Sequence, residues 1–277
     1  MCSATNVELS RIDSRVHQIR TRGVFGSRAV PSPPEPPNRI IGLTMPATKP
    51  NRTAEHPTEG FRSAVLAPAT DRPVRVYLPT DYQPKYAYPL VVVFHAEGEC
   101  EEHSVRLVPQ LSRRNYIVLC LRGPVNLGCR ADGRPAFGWG EGQPDRGTKA
   151  ALAYATSQFS VHPDRVFLMG IGEGATAAYR LGLSMGTCAA GVVALNGRLP
   201  KGRVRANQLR ILIGHGTANP VVPVTEARRA VTQLTRAGSD VRMNRYATAH
   251  CVHADMLGDA NRWIMEQITG KSLAHGH

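Results

Sequence analysis

Short apolar segments alternate with longer amphipathic segments along the chain, which is typical of an α/β protein. Continuous apolar runs predict buried parallel strands, and these runs begin near Leu90, Tyr116, Val166, Ala190, Arg210 and Val241. Helices are predicted over 101–113, 145–158, from the turn at 170–174 to about 184, over 225–237 and over 254–268. This alternation indicates a mainly parallel sheet with helices on both faces.

The remaining segments complete one predicted domain. Two short strands at 62–66 and 74–78 are expected to lie antiparallel at one edge of the sheet. A glycine-rich loop is expected over 123–142. No repeat and no insertion long enough for a large cap is visible, so a single domain is predicted over 61–270.

Both ends of the chain are predicted to be tails. Residues 1–60 are expected to be disordered, because the prolines at 31–37 lack the N–H groups that helices and central strands need. Residues 271–277 are expected to form a flexible C-terminal tail. Met1 and Met45 both remain open as the start residue.

The net charge of +13 comes from 34 basic and 21 acidic residues. A basic surface can attract nucleic acid, but the basic residues are mostly arginines spread along the chain, so a composition bias is the preferred interpretation. The densest basic stretch lacks the aromatic side chains on which bases stack, and it is predicted to be a solvated loop: Arg198, Lys201, Arg203, Arg205 and Arg210. Nucleic acid is therefore not an expected partner.

Cellular location is indicated by three negative features. The chain has no apolar run of about 18 residues, so no membrane span is predicted. Its beginning lacks the pattern of a secretory signal. The six cysteines include no C-x-x-C pair, which disfavours zinc ribbons and thioredoxin-like sites. A cytoplasmic protein with reduced thiols, and without a cofactor or metal ion, is expected.

The segment Met169-Gly170-Ile171-Gly172-Glu173-Gly174 predicts a strand, a tight turn and a helix. Its G-x-G-x-G spacing does not match the dinucleotide fingerprint G-x-G-x-x-G, and the next strand ends in Asn196 where a ribose-binding acid would be needed. The context fits a nucleophile elbow, G-x-S-x-G, better. The middle position, however, is Gly172, which has no side chain for attack.

A second segment, residues 182–186, matches G-x-S-x-G in letters only. Its Ser184 continues a predicted helix and follows no strand, whereas an elbow needs a strand, a turn and a helix. Ser184 is therefore rejected as a nucleophile.

Further motifs follow in order along the chain: VVVFHAEGE, YIVLCLRGP, FGWGEG, PDRVFLMGIGEGA, GVVALNGRLP, ILIGHGTANPVVP and YATAHCVH. In these motifs, residues 62–268 resemble an α/β-hydrolase of the phospholipase/carboxylesterase/thioesterase family. The resemblance implies that Gly172 occupies the nucleophile position, Asn219 the acid position and His250 the retained base position. It also implies that the backbone N–H groups of Ala96 and Glu173 form the oxyanion hole.

These replacements lead to two functional hypotheses. Without a serine Oγ there is no route to an acyl-enzyme, and without a carboxylate the imidazolium of His250 loses its stabilising charge. The first hypothesis is a non-catalytic homologue that binds a small ester-like or carboxylate ligand, or a protein partner that the sequence does not identify. The second is an active carboxyl-ester hydrolase in which His250 acts with an unconventional nucleophile or with water.

Other groups that could take part are less well supported. Cys100 and Cys251 could supply a thiolate, and Glu173 could activate water. His95, His215 and His250 could come close, but no ligand spacing indicates a metal site. We expect Gly172, Asn219 and His250 to converge at the carboxyl ends of the strands, with the side chain of Glu173 pointing outward.

Overall fold

The computed structural model describes residues 60–65, 72–141, 146–185, 188–205 and 208–270. The predictions for the tails therefore fall outside the described residues, apart from Gly60. The strands are β1 Gly60–Val65, β2 Pro73–Leu78, β3 Tyr88–Phe94, β4 Ile117–Leu121, β5 Val125–Cys129, β6 Pro135–Gly138, β7 Val161–Ile171, β8 Gly191–Leu195, β9 Arg210–Gly216 and β10 Asp240–Tyr246. The helices are α1 Glu101–Val105, α2 Val108–Leu111, α3 Arg146–Gln158, α4 Glu173–Met185, α5 Val224–Arg236 and α6 Ala254–Thr269.

Eight of these strands form one sheet in the order β1-β2-β4-β3-β7-β8-β9-β10. The six strands from β4 to β10 in that order pair in parallel. Strands β1 and β2 pair antiparallel at one edge, and β2 also runs antiparallel to β4. The predicted fold class, a mainly parallel sheet with two antiparallel edge strands, is confirmed.

Alternate side chains of each strand enter two separate cores, because successive residues of a strand point to opposite faces. In β3, for example, Val92 packs with helices α3, α4 and α5 on one face. Its neighbour Val93 packs with α2 and α6 on the other face. Both valines are fully buried, which explains why β3 is apolar at every position. The prediction of helices on both faces is therefore also confirmed.

The structure corrects the predicted bounds in three places. The helix expected over 101–113 is divided into α1 and α2, and a proline in the first turn of α2 fits this division because it donates no N–H. Strand β7 begins at Val161, five residues earlier than its apolar run. The loop expected over 123–142 contains the β5–β6 hairpin, whose first strand is exposed throughout and was not predicted.

Two global findings concern membranes and cysteines. No helix within the described ranges is both long and apolar enough to cross a membrane. All five cysteines in that part of the chain are free thiols.

Candidate active site

The turn that joins β7 to α4 lies at the centre of the site. A Cβ at Gly170 would collide with the backbone of Gly174 and Ala175, and a Cβ at Gly174 would collide with the carbonyl oxygens of Phe94 and His95. Both glycines are therefore required by close packing of the backbone. Gly172 differs, because a Cβ there would meet no atom closer than 3.5 Å. Its φ of +55° is the sharp, left-handed backbone that an elbow position requires.

The loop after β3 is held beside this turn by His95, which is fully buried. The Nδ1 of His95 lies 2.7 Å from the carbonyl oxygen of Ala96, and Nε2 accepts from the N–H of Gly123 at 2.9 Å. The indole Nε1–H of Trp139 donates to the His95 carbonyl at 2.9 Å. Burial lowers the pKa of His95 to about 4, so the ring is neutral at pH 7. His95 therefore orients the loop that carries Ala96.

Asn219 and His250 meet at the end of the sheet that carries the carboxyl ends of the parallel strands. Asn219 follows β9 and His250 follows β10. The Nδ2 of Asn219 lies 2.9 Å from the Nδ1 of His250. The Oδ1 of Asn219 accepts from the backbone N–H groups of Val221 at 3.0 Å and Val222 at 2.9 Å. Asn219 is buried and His250 is half-buried, so one edge of the ring remains on the cavity side.

The other edge of the ring faces the turn. A Cβ placed on Gly172 would lie 3.5 Å from the Nε2 of His250 and 3.5 Å from the Cβ of Ala96. The structure thus brings together Gly172, Asn219, His250 and Ala96, four of the residues that the sequence resemblance singles out. Burial lowers the pKa of His250; His215 and Arg198 lower it further, and Glu99 raises it.

Sequence reasoning missed a structural role for Asn196. This residue follows β8 with a φ of +54° and is 1% exposed. Its Oδ1 accepts from the N–H of Gly216 at 2.9 Å, and its Nδ2 donates to the carbonyl of Cys251 at 2.7 Å. The Nδ2 of Asn219 lies 3.4 Å from the same Oδ1. A polar residue at the end of a buried parallel strand is the signal that could have found it.

A cavity of about 1090 Å³ opens above the turn. Among the described residues that line it, the basic ones are Arg106, Arg130, Arg180, Arg198 and Lys201, and the acidic ones are Glu97, Glu99, Glu141 and Glu173. The prediction that the basic stretch from Arg198 to Arg210 is a solvated loop is therefore only partly right, because Arg198 and Lys201 line the cavity. Arg198 is exposed, but its guanidinium donates to the carbonyl of Val221 at 2.7 Å at the cavity wall.

The side chain of Glu173 does not point outward as expected. It is half-buried and lines the cavity, and its Oε2 accepts from the backbone N–H of Trp139 at 3.4 Å. The segment that follows the β5–β6 hairpin supplies this donor, and the hairpin was not foreseen. Burial and the nearby Glu97 raise the pKa of Glu173.

The alternative nucleophiles lie in three different environments. The Sγ of Cys100 is buried 3.4 Å from the Nδ1 of His103, and burial raises the pKa of this thiol. Cys251 lines the cavity with its Sγ 2.8 Å from the Oγ1 of Thr248. Ser184 lies on α4, as the sequence predicts, and donates to the carbonyl of Leu181 at 2.8 Å.

The three histidines do not form a metal centre. Both ring nitrogens of His95 are engaged by backbone atoms. His215 is fully buried with Nε2 2.8 Å from the carbonyl of Val222, and its Nδ1 has no hydrogen-bond partner among the described residues. Within the described part of the chain, no group of three His, Cys, Asp or Glu side chains could hold a metal ion.

Comparison with solved structures shows that the chain shares its fold with carboxylesterases. A carboxylesterase from Mesorhizobium loti is 20% identical with a TM-score of 0.57, covering 73% of this chain and 98% of its own. The Bacillus cereus carboxylesterase is 19% identical to this chain, with a TM-score of 0.56. The match covers 71% of this chain and 94% of the carboxylesterase. Esterase PE8 is 21% identical to this chain, with a TM-score of 0.56. The match covers 75% of this chain and 99% of esterase PE8. At these identities the likeness shows the fold.

Part of the sequence also matches a family model. Residues 148–268 match the phospholipase/carboxylesterase family. This segment contains Gly172, Asn219 and His250, whereas Ala96 lies before it. The chain therefore resembles this family in residues 148–268 and shares its fold with the carboxylesterases above. No curated protein matches the chain significantly.

Proposed function

We propose that this protein is a carboxylesterase-like homologue that binds a small carboxylate or ester-like ligand and does not carry out serine-esterase chemistry. The observation that supports the proposal is Gly172 in the elbow position. Close packing requires Gly170 and Gly174 to be glycine, but it does not require Gly172 to be one. The site therefore has room for a nucleophile and lacks it.

The chemical consequence is large because the nucleophile, base and acid of such a site act as a unit. Loss of single members costs on the order of 10⁴–10⁶ in rate in triad enzymes. The buried Cys100, with its raised pKa, is a poor replacement. The hydroxyl of Ser184 donates a hydrogen bond within α4, so Ser184 provides no replacement nucleophile.

Binding can persist where cleavage is lost. The cavity of about 1090 Å³ is large enough for a small organic ligand. Backbone N–H groups of Ala96 and Glu173 would form the oxyanion donors, and these do not depend on a side chain at position 172. The basic side chains Arg198 and Lys201 on the cavity wall favour an anionic ligand.

Turnover of p-nitrophenyl acetate and p-nitrophenyl butyrate by the purified full chain tests this proposal. We expect no rate above the uncatalysed background, and the same result for His250→Ala. The control Ser184→Ala should also stay at background. A rate that exceeds background and vanishes in His250→Ala would instead support the second hypothesis, an active ester hydrolase using His250 with an unconventional nucleophile or with water.

A further inference from the structure

The orientation of the Asn219 amide is determined by the surrounding backbone. Its Oδ1 accepts from the N–H groups of both Val221 and Val222, at 3.0 and 2.9 Å. A carbonyl oxygen has two lone pairs, so these two donors occupy it. Although Oδ1 also lies 3.1 Å from the Nδ1 of His250, the amide group free to pair with the ring is Nδ2.

Asn196 independently supports the same orientation. Its own amide is fixed, because Oδ1 accepts from the N–H of Gly216 and Nδ2 donates to the carbonyl of Cys251. The Oδ1 of Asn196 therefore presents an acceptor to Asn219 at 3.4 Å. An acceptor at that place suits an NH₂ group on Asn219 and disfavours an oxygen. The acceptor Oδ1 of Asn196 thus lies opposite the donor Nδ2 of Asn219.

We infer that Asn219 fixes the neutral ring of His250 in the tautomer with the proton on Nε2, so that His250 donates a hydrogen bond into the cavity and selects a ligand with an acceptor oxyanion. Nδ2 of Asn219 is a donor, so the Nδ1 that it contacts at 2.9 Å must be the unprotonated nitrogen. The only ring proton of neutral His250 then lies on Nε2, the atom that faces Gly172.

This arrangement is the reverse of the one an esterase needs. A triad carboxylate accepts from Nδ1–H and leaves Nε2 free to take the proton of the nucleophile. Here Nε2 carries a proton and cannot act as a base without a change of tautomer. Asn219 is thus a positioning residue that acts through His250, and the ring becomes a donor for a carboxylate.

The charged groups around the ring are compatible with a neutral donor. His215 from β9 and Arg198 from the loop after β8 disfavour a positive charge on His250, whereas Glu99 favours it. Burial, the largest influence, lowers the pKa of His250. Donation from Nε2 does not depend on protonation, since the neutral tautomer already carries that proton.

The tautomer can be observed directly by ¹H–¹⁵N correlation of the histidine ring in the full chain, with the His250 signals assigned through His250→Gln. We expect wild-type His250 at pH 7.5 to carry its proton on Nε2. In Asn219→Asp the carboxylate should move the proton to Nδ1. Asn126→Asp adds the same charge on the exposed β5 strand and should leave the wild-type pattern. A wild-type ring protonated on Nδ1 overturns the inference.

Butyrate binding to the same variants tests the functional consequence, which rests on the proposed ligand class. Asn219→Asp should weaken butyrate binding about tenfold or more. It moves the ring proton of His250 away from Nε2, which removes the donor that faces the ligand, and it adds a negative charge beside the ring. Asn126→Asp should bind as the wild type does. Equal affinity of wild type and Asn219→Asp would overturn the role of Asn219 in ligand selection. Ester turnover by the wild type would contradict the proposed function, while the ring spectrum would still report on the tautomer.

Discussion

Two histidines beside the Ala96 loop show how one residue type serves different purposes. His95 is fully buried, and both of its nitrogens contact backbone atoms. His250 is half-buried and keeps one nitrogen toward the cavity. The sequence places both after strands but does not separate a structural histidine from one that faces a ligand. That distinction depends on Gly123 and Asn219, which lie far away in the sequence.

His95 should make the stability of the protein depend on pH. Its folded pKa of about 4 lies below the ordinary histidine value of 6.5, so the unfolded chain takes up this proton first as the pH falls. The free energy of unfolding should therefore fall between pH 6.5 and 4, by about 3 kcal/mol from this group. Urea unfolding at several pH values measures it.

The variant His95→Gln isolates the contribution of His95 from those of other groups. The variant should be less stable at pH 7, because it loses the contacts of the buried ring. Because Gln stays uncharged, the free energy of unfolding of the variant should fall less steeply toward pH 4. The matched control His162→Gln, at the beginning of β7, should keep the steep fall. Parallel pH profiles for wild type and His95→Gln would show that His95 is not buried as a neutral ring.

At the scale of elements, the unit formed by β7, the turn and α4 is the best-predicted part of the molecule. A buried run, three spaced glycines and an alanine-rich segment are local signals, and all are visible in the sequence. The β5–β6 hairpin is the least predictable element. Its β5 strand is exposed, and it is tied to the cavity by the backbone pairing of Glu99 with Phe137. The backbone N–H of Trp139, directly after β6, donates to the Oε2 of Glu173 at 3.4 Å.

The turn predicts a graded response to alanine substitution. Gly174→Ala should destabilise the protein more than Gly172→Ala, by about 3 kcal/mol or more, since its Cβ meets the backbone oxygens of Phe94 and His95, which cannot yield easily. Gly172→Ala should cost roughly 1–2 kcal/mol, because the space is open and only the positive φ is unfavourable. Chemical denaturation measures both. Equal losses at the two positions would contradict the distinction between required and unrequired glycines.

At the scale of the whole molecule, sequence reasoning reached the fold because a parallel sheet buried on both faces leaves long apolar runs and ordered motifs. It could also place Gly172, Asn219 and His250 near one another, since parallel strands carry their carboxyl ends to one edge. The structural role of Asn196 was not predicted because its partners Gly216 and Cys251 lie 20 and 55 residues away in the sequence. In the sheet, β4 lies between β2 and β3, so these strands do not follow their order in the chain. That order depends on which strands pair in the folded protein, and no local sequence pattern indicates it.

The molecule as a whole should retain the framework of an esterase, and restoring two residues tests this. Gly172→Ser supplies an Oγ in a space that already accepts a Cβ 3.5 Å from the Nε2 of His250. Asn219→Asp supplies the acceptor that frees Nε2 to act as a base. We expect each single variant to stay at background with p-nitrophenyl butyrate and the double variant to rise above it.

The gain should remain far below that of a natural esterase. The Oδ1 of Asn196, now 3.4 Å from an amide nitrogen, would face a carboxylate oxygen in the double variant. This contact disfavours the ionised carboxylate introduced at position 219, on which His250 depends to act as a base. If Gly172→Ser alone were as active as the double variant, His250 would already be a base and the tautomer inference would be wrong. If the double variant stayed at background, the oxyanion donors or the cavity itself would have departed from the esterase arrangement.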